Sequence, residues 1–376
     1  DLPRAPAPRK RPLRRPRQPS ATPICRRKAR VRPSSDAAAA RPSFHIIAIP
    51  WAVSARIRSC GLREAADAAW AWCQVLRCGN AFSASARSWC ASCRAVSGAP
   101  KVHAIGYCIG GTALTTYMAW ANRHHTPEDV PVAHCTLFTT LVDFHKPGDI
   151  EVFVDEGSIR YLTENMEKKG YLDGAEMASA FRLLRSNSLI WHYVVHGWLY
   201  GETPPPFDVL YWNMDTTRMP YAMHAWYLRE LYLHNRLIDK DALTVAGEPI
   251  DLGRITQPVY AVGAEDDHIA PWRQTFKTLN HLSGPKRFVL SSSGHILGIV
   301  NPPVDPPKRH FWVGPARRTD TADGWQGGAS HQTGSWWTDW MAWLKPQCGD
   351  LVDAPPVATE AFPALADAPG TYVLER

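Results

Sequence analysis

Residues 102–111 read VHAIGYCIGG, an apolar run that meets a glycine, a tyrosine and a cysteine, then Ile109 and two more glycines. The run has the length of a buried strand, and GTALTTYMAWANRHH (111–125) carries apolar residues at helical spacing. A strand that passes straight into a helix must turn sharply, and the side chains flanking the turn collide. Gly106 and Gly110, on either side of Cys108, relieve that collision. Gly106-x-Cys108-x-Gly110 fits a nucleophile elbow with cysteine in the serine position. Such a turn lifts the nucleophile above the sheet and beside a helix N-terminus, whose partial positive charge favours thiolate. It also offers the N–H of Ile109 to an oxyanion. A buried cysteine in a glycine-rich turn is the competing reading, and this stretch alone leaves the choice open.

Outward from the turn, VAHCTLFTTLV (132–142) reads as a second buried strand. Residues 143 to about 250 are rich in aromatics and hold helical patterns such as GAEMASAFRLLR and MHAWYLRELYLHNRL. Alternation then resumes. PVYAVGA (258–264) is a strand, APWRQTFKTLNHL a helix with Pro271 in its first turn, and RFVLSSSGH a strand ending in a loop. Strand–helix alternation implies an α/β fold with a parallel sheet, whose ligands sit beyond the carboxyl ends of the strands. The long insertion would lie over that edge as a cap.

A thiol nucleophile needs a base, and the base needs an orienting acid. Behind an elbow the acid comes first in the chain and the histidine second. GAEDDHIAPW, at the end of one strand, offers Asp266 or Asp267; SSSGHILG, at the end of the next, offers His295. Three side chains can therefore converge from three strand ends. His103 falls within the strand and points into packing, and His268 stands at a helix start.

The chain as a whole carries a formal charge of +7, but the charge is unevenly spread. Residues 1–100 hold 19 Lys and Arg against 4 Asp and Glu, and the remainder 23 against 31. The basic excess thus belongs to the first hundred residues, which also hold six of the nine cysteines and none of the 12 tyrosines. RKRPLRRPRQP could bind nucleic acid or act as a transit segment. The Arg/Ala/Pro/Ser/Cys/Trp bias fits better a segment read out of frame from GC-rich DNA, since no hydrophobic period persists there. On that reading nucleic acid is not a partner, residues 1–97 have no assigned fold, and ordered structure begins near Gly98. Cys90 and Cys93 form an isolated CxxC without the histidines of a metal site. No apolar run approaches the ~18 residues of a membrane span.

Eight segments carry a resemblance: GYCIGGT, FTTLVDF, VFVDEG, LRSNSLIWHYVV, PFDVLYWNMDTTRMP, EDDHIAPW, SSSGHILGIVNPP and GSWWTDWMAWL. In order and spacing, from about Lys101 to Leu344, they resemble the carboxyl-terminal catalytic region of polyhydroxyalkanoate synthases of the single-subunit, short-chain type. The resemblance implies an α/β-hydrolase core with an inserted helical cap, Cys108 as nucleophile and His295 as base. It selects Asp267 over Asp266, because the family's acid directly precedes the histidine of the DHI segment. Arg185, Trp212, Asn213, Asp215 and Asn235 fall on cap motif positions. Of these Arg185, Trp212, Asn213 and Asn235, with His268, are candidates for substrate contact. Packing is the alternative for Trp212, and Arg185 stands between a coenzyme A phosphate contact and an ion pair.

The implied domains are 98–142 and 251–346 for the core, 143–250 for the cap and 347–376 for a tail. The implied substrate is an (R)-3-hydroxyacyl-coenzyme A, 3-hydroxybutyryl above all, polymerised to a polyester without cofactor or metal. A homodimer in the cytoplasm at the polymer granule surface is the implied setting. Family members carry earlier strands, one of which supplies a second oxyanion N–H. Nothing in residues 1–100 resembles them, so the sheet is expected to expose an edge. A cysteine-type esterase or thioesterase of the same fold, and an inactive piece bound to granules, are the alternatives.

Overall fold

The computed structural model describes residues 46–49, 80–203 and 218–349, with a few positions between 358 and 367. Of the two units into which the chain divides, Asp1–Ala40 and Arg41–Arg376, the second holds all of these residues. Its frame is a seven-stranded sheet whose strands lie side by side in chain order. They are β1 (Ile46–Ile49), β2 (Val102–Tyr107), β3 (Val132–Phe138), β4 (Val259–Ala264), β5 (Lys286–Ser291), β6 (His310–Pro315) and β7 (Ser330–Thr333). β1 to β5 run parallel, and β6 and β7 return antiparallel.

The central strands are buried on both faces, which is why they read as continuous apolar runs rather than alternating ones. Successive residues still part to opposite sides. Ala261 joins the larger core with Leu114, Met118 and Phe276, whereas Tyr260 and Val262 pack on the other face. Trp336, Trp340 and Leu344, at and within the helix Trp337–Leu344, close that second face.

Two elements correct the expectation that order begins near Gly98. A helix, α1 (Asn80–Ser97), precedes the turn, and β1 pairs in parallel with β2. The edge of β2 expected to stand open is therefore paired. What holds α1 is tertiary. The Cys90 thiol is buried in the same core cluster as Tyr117, and the Arg87 guanidinium lies 5.1 Å over the Trp120 ring. Gly98 ends the helix at φ +69°, its N–H donating to Arg94 O at 2.8 Å.

α2 (Ile109–His124) leaves the end of β2 and packs across the sheet. The expected strand at 132–142 stops at Phe138, because Thr139 adopts φ +42°. Between β3 and β4 the chain builds α3 (Glu156–Lys169), α4 (Gly174–Leu184) and α5 (Tyr221–Tyr227). Asp155 caps α3 by accepting from the N–H groups of Gly157 and Ser158, and Gly170 closes it at φ +81°. Met166, Leu172, Met219 and Ala225 form a small core within this insertion. Tyr227 and Leu231, by contrast, join the main core. After β4 come α6 (Trp272–Thr278), the short α7 (Leu297–Val300), α8 (Ala322–Gly328) and α9 (Trp337–Leu344). The antiparallel β6 and β7 were not legible as strands; β7 is exposed along its whole length and polar.

Candidate active site

Cys108 sits between β2 and α2 at φ +53°, ψ −123°, a conformation that costs a side-chain-bearing residue energy and persists only when its surroundings impose it. The glycines show how. A Cβ on Gly106 would lie 2.5 Å from Gly111 Cα. One on Gly111 would lie 1.8 Å from Thr140 Oγ1. Gly111, which the GxCxG pattern does not include, is thus the glycine that lets α2 approach the end of β3. The Cys108 N–H donates to Phe138 O at 2.9 Å, tying the turn to the neighbouring strand. The carbonyl of Cys108 accepts from Gly111 and Thr112. Among the described residues the N–H of Ile109 has no hydrogen-bond partner, as a helix's first N–H groups lack one within the helix.

The acid and the base arrive from the ends of β4 and β5. His295 Nδ1 lies 2.7 Å from Asp267 Oδ2. Asp267 Oδ1 accepts from the N–H groups of Ile269 and Ala270, each at 2.9 Å. Its side chain is wholly buried, whereas Asp266 is exposed. With Nδ1 committed to Asp267, the other ring nitrogen of His295 is left for the thiol of Cys108. Burial alone would push this imidazole down; the hydrogen bond to Asp267, with the nearby Cys108 and both their charges, raises it to about 10. The structure therefore brings together Cys108, Asp267 and His295.

Three tyrosines that sequence reading did not single out complete the surroundings. Tyr107 donates its hydroxyl to His295 O at 2.8 Å, with the two rings 5.2 Å apart. Its place directly before Cys108 was the available signal. Tyr227 donates to Tyr232 at 3.3 Å, and both are packed with Phe144. Burial raises both phenols, with Cys108 a further contributor, and Tyr232 is pushed up to about 12.

The remaining candidates separate. His268 is half-buried beside the site, and burial, then the Arg185 charge, holds it below its ordinary value. Arg185 is exposed and makes no ion pair among the described residues. Asn235 stands at φ +50° with both ends of its amide engaged. Its Oδ1 accepts from Phe144 N at 2.8 Å and its Nδ2 donates to Asp143 Oδ1 at 2.9 Å. Trp212, Asn213 and Asp215 lie outside the described residues, as does the segment after β1. Among the described residues no group of three or more His, Cys, Asp or Glu is placed to hold a metal ion. Among the same residues no helix is long and apolar enough to cross a membrane.

A sequence profile of the alpha/beta hydrolase fold matches residues 80–302, more than half of the chain. The chain belongs to the α/β-hydrolase fold family. The match starts at the first residue of α1. Within that family it is similar to three curated polymerases. It is 44% identical over 280 residues to the poly(3-hydroxyalkanoate) polymerase subunit PhaC of Rhizobium meliloti, covering 74% of this chain and 45% of that one. The Rhizobium etli subunit is 42% identical over 280 residues, covering 74% and 43%. The Cupriavidus necator subunit is 41% identical over 288 residues, covering 74% and 48%. The chain spans less than half the length of these relatives. The resemblance read from the motifs thus extends over 74% of the chain.

Proposed function

We propose that this chain carries the acyl-transfer site of a poly(3-hydroxyalkanoate) polymerase. Cys108 takes the hydroxyacyl group from an (R)-3-hydroxyacyl-coenzyme A, 3-hydroxybutyryl in the first instance, and passes it to the hydroxyl end of a growing polyester. The observation that carries the reading is the thiol at the elbow, backed by His295 and Asp267 at 2.7 Å. The similarity to curated polymerases supplies the substrate class.

In the first step His295 accepts the thiol proton and Cys108 Sγ attacks the thioester carbonyl. The N–H of Ile109 faces the developing oxyanion. The carbon–sulfur bond to coenzyme A breaks, and the imidazolium returns its proton to the departing thiolate. The acyl-cysteine is again a thioester, so this exchange is nearly isoenergetic and the acyl group stays activated. In the second step His295 takes the proton of the attacking hydroxyl, an oxyester forms, and Cys108 leaves and is reprotonated. A serine in this place would hold an oxyester already and lose the driving force of the second step.

Water must be kept from the acyl-cysteine, and the aromatic lining of Tyr107, Phe144, Tyr227 and Tyr232 serves that end. Arg185, exposed and close enough to depress His268, is suited to the coenzyme A phosphates. Asn235 acts by holding the cap's last turn to the loop after β3, whereas Trp212 and Asn213 remain candidates for substrate contact. No cofactor enters these steps. A second copy of the chain and a cytoplasmic polyester granule are the partners this reading implies. The test is the product made from 3-hydroxybutyryl-coenzyme A. Polymer with free coenzyme A supports the reading, and free hydroxy acid alone replaces it with a thioesterase.

A further inference from the structure

The loop that carries His295 is gripped from outside the triad. After His295 the chain makes only the four-residue α7, whose last carbonyls have no helical partner. Three consecutive side chains at the start of α9 donate to them, and Ser291 Oγ also donates to Gly298 O at 2.7 Å. Trp336 Nε1 donates to Gly298 O at 2.9 Å. Trp337 Nε1 donates to Ile299 O at 3.1 Å and to Val300 O at 3.0 Å. Ser335 Oγ donates to Asn301 O at 2.5 Å. Four consecutive carbonyls are thus held by three consecutive residues nearly forty positions further along the chain.

The grip reaches His295 through short links. Gly298 N–H donates to Gly294 O at 2.8 Å, next to His295 in the chain. Gly298 also sits so close to β4 that a Cβ there would lie 2.8 Å from Ala264 Cβ. Trp336 is fully buried against Phe138, the last residue of β3, with ring centroids 5.4 Å apart. The clamp therefore refers the His295 loop to the same strand end that anchors Cys108 N–H.

We propose that Ser335, Trp336 and Trp337 are positioning residues for His295, fixing its ring against Cys108 through the backbone of residues 298–301. The proposal rests on the reading of Cys108 and His295 as a working pair. Asp267, Cys108, Tyr107 and His268 face His295, and Tyr107 packs against the same buried cluster as Trp336 and Trp337.

The test uses this chain and iodoacetamide, with alkylation of each cysteine followed by peptide mass spectrometry across roughly pH 5.5–9, the range that leads up to the ordinary thiol pKa of about 8.5. Wild-type Cys108 should react faster than Cys348 at the acid end, because His295 is in place to take the thiol proton. Trp337→Phe keeps a ring but removes the N–H. It should slow Cys108 alkylation at the acid end about tenfold and move the profile toward that of a free thiol. Trp336→Phe should do the same. Trp343→Phe, on the same helix but without a bond to the loop, should leave the profile unchanged. Trp337 is only partly buried, so it carries the test if Trp336→Phe fails to fold; Ser335→Ala is the second such variant. Profiles of folded Trp337→Phe and Ser335→Ala within twofold of wild type would overturn the clamp and leave the pair standing. An equal change in Trp343→Phe would overturn it too. Wild-type Cys108 no faster than Cys348 would overturn the pair, and the clamp with it.

Discussion

His295 and Asp267 meet at 2.7 Å through Nδ1 and Oδ2, and the second oxygen of Asp267 is fixed by two backbone N–H groups. A wholly buried carboxylate held at both oxygens can present only one geometry to the imidazole. That geometry sets the tautomer and directs the other ring nitrogen at Cys108.

Asp267→Asn should therefore lower the rate of coenzyme A release by about 10⁴, the loss seen when an orienting acid is replaced in a related triad. Asp266→Asn should stay within about twofold, because its carboxyl is exposed and only its N–H is bonded, to Ser293 O. Steady-state kinetics on the two variants checks both, and the reverse order would place the acid one residue earlier.

Gly111→Ala tests the turn itself. The added methyl would fall 1.8 Å from Thr140 Oγ1 and within 3 Å of two further Thr140 atoms. Either the Thr140 side chain or the start of α2 must move, at a cost of about 1–3 kcal/mol or more. Denaturant unfolding should show the loss, and a midpoint equal to wild type would mean that α2 can yield there freely.

Asn235→Gly separates a structural role from contact with substrate. Glycine keeps the φ of +50° without strain, so only the side-chain bonds to Phe144 and Asp143 are lost. A hydrogen bond to a charged group contributes about 1.5–3 kcal/mol, and the unfolding midpoint should fall accordingly. An unchanged midpoint with a raised KM would instead make Asn235 a substrate ligand.

The elbow was legible because its chemistry is local: glycine, nucleophile and glycine within five residues force one backbone path. His295 was legible as a histidine after a strand's last residue. Asp267 was not separable from Asp266 by pattern, since both end the same strand; burial separates them, and only the family motif stood in for it. α1 was hidden because it is held by contacts from Cys90 and Arg87 to α2, which leave no apolar period to read. β6 and β7 were hidden for a different reason. Trp312 is only half-buried and β7 is wholly exposed, so neither strand has the apolar run of β2 to β5. The pairing of Asn235 with Asp143 joins residues 92 apart and carries no signal in either segment.

Acid stability should be governed in part by a histidine pair far from the triad. His103 Nδ1 is hydrogen-bonded to His134 Nδ1, and His103 Nε2 is 3.0 Å from Thr136 Oγ1. Burial, then the neighbouring His134, lowers His103 to about 3, and burial lowers His134 as well. Between pH 6.5 and 3 the unfolded chain binds a proton that native His103 refuses, so stability falls as pH falls. The slope per histidine is at most about 1.4 kcal/mol per pH unit. His295 has the opposite sign: its contribution is full below about pH 6.5 and is lost as pH rises toward about 10. His103→Gln should flatten the acid limb in denaturant melts at pH 4–7. An acid limb as steep as that of wild type would assign the sensitivity elsewhere.

The most direct test is to trap the acyl-enzyme. The chain is mixed with 3-hydroxybutyryl-coenzyme A, quenched in acid, digested and read by peptide mass spectrometry. The expected result is a hydroxybutyryl group on the peptide holding Cys108, lost on hydroxylamine treatment, absent in Cys108→Ala and strongly reduced in His295→Gln. A hydroxybutyryl group on any other residue, or release of coenzyme A with Cys108 unmodified and still open to iodoacetamide, would contradict the account.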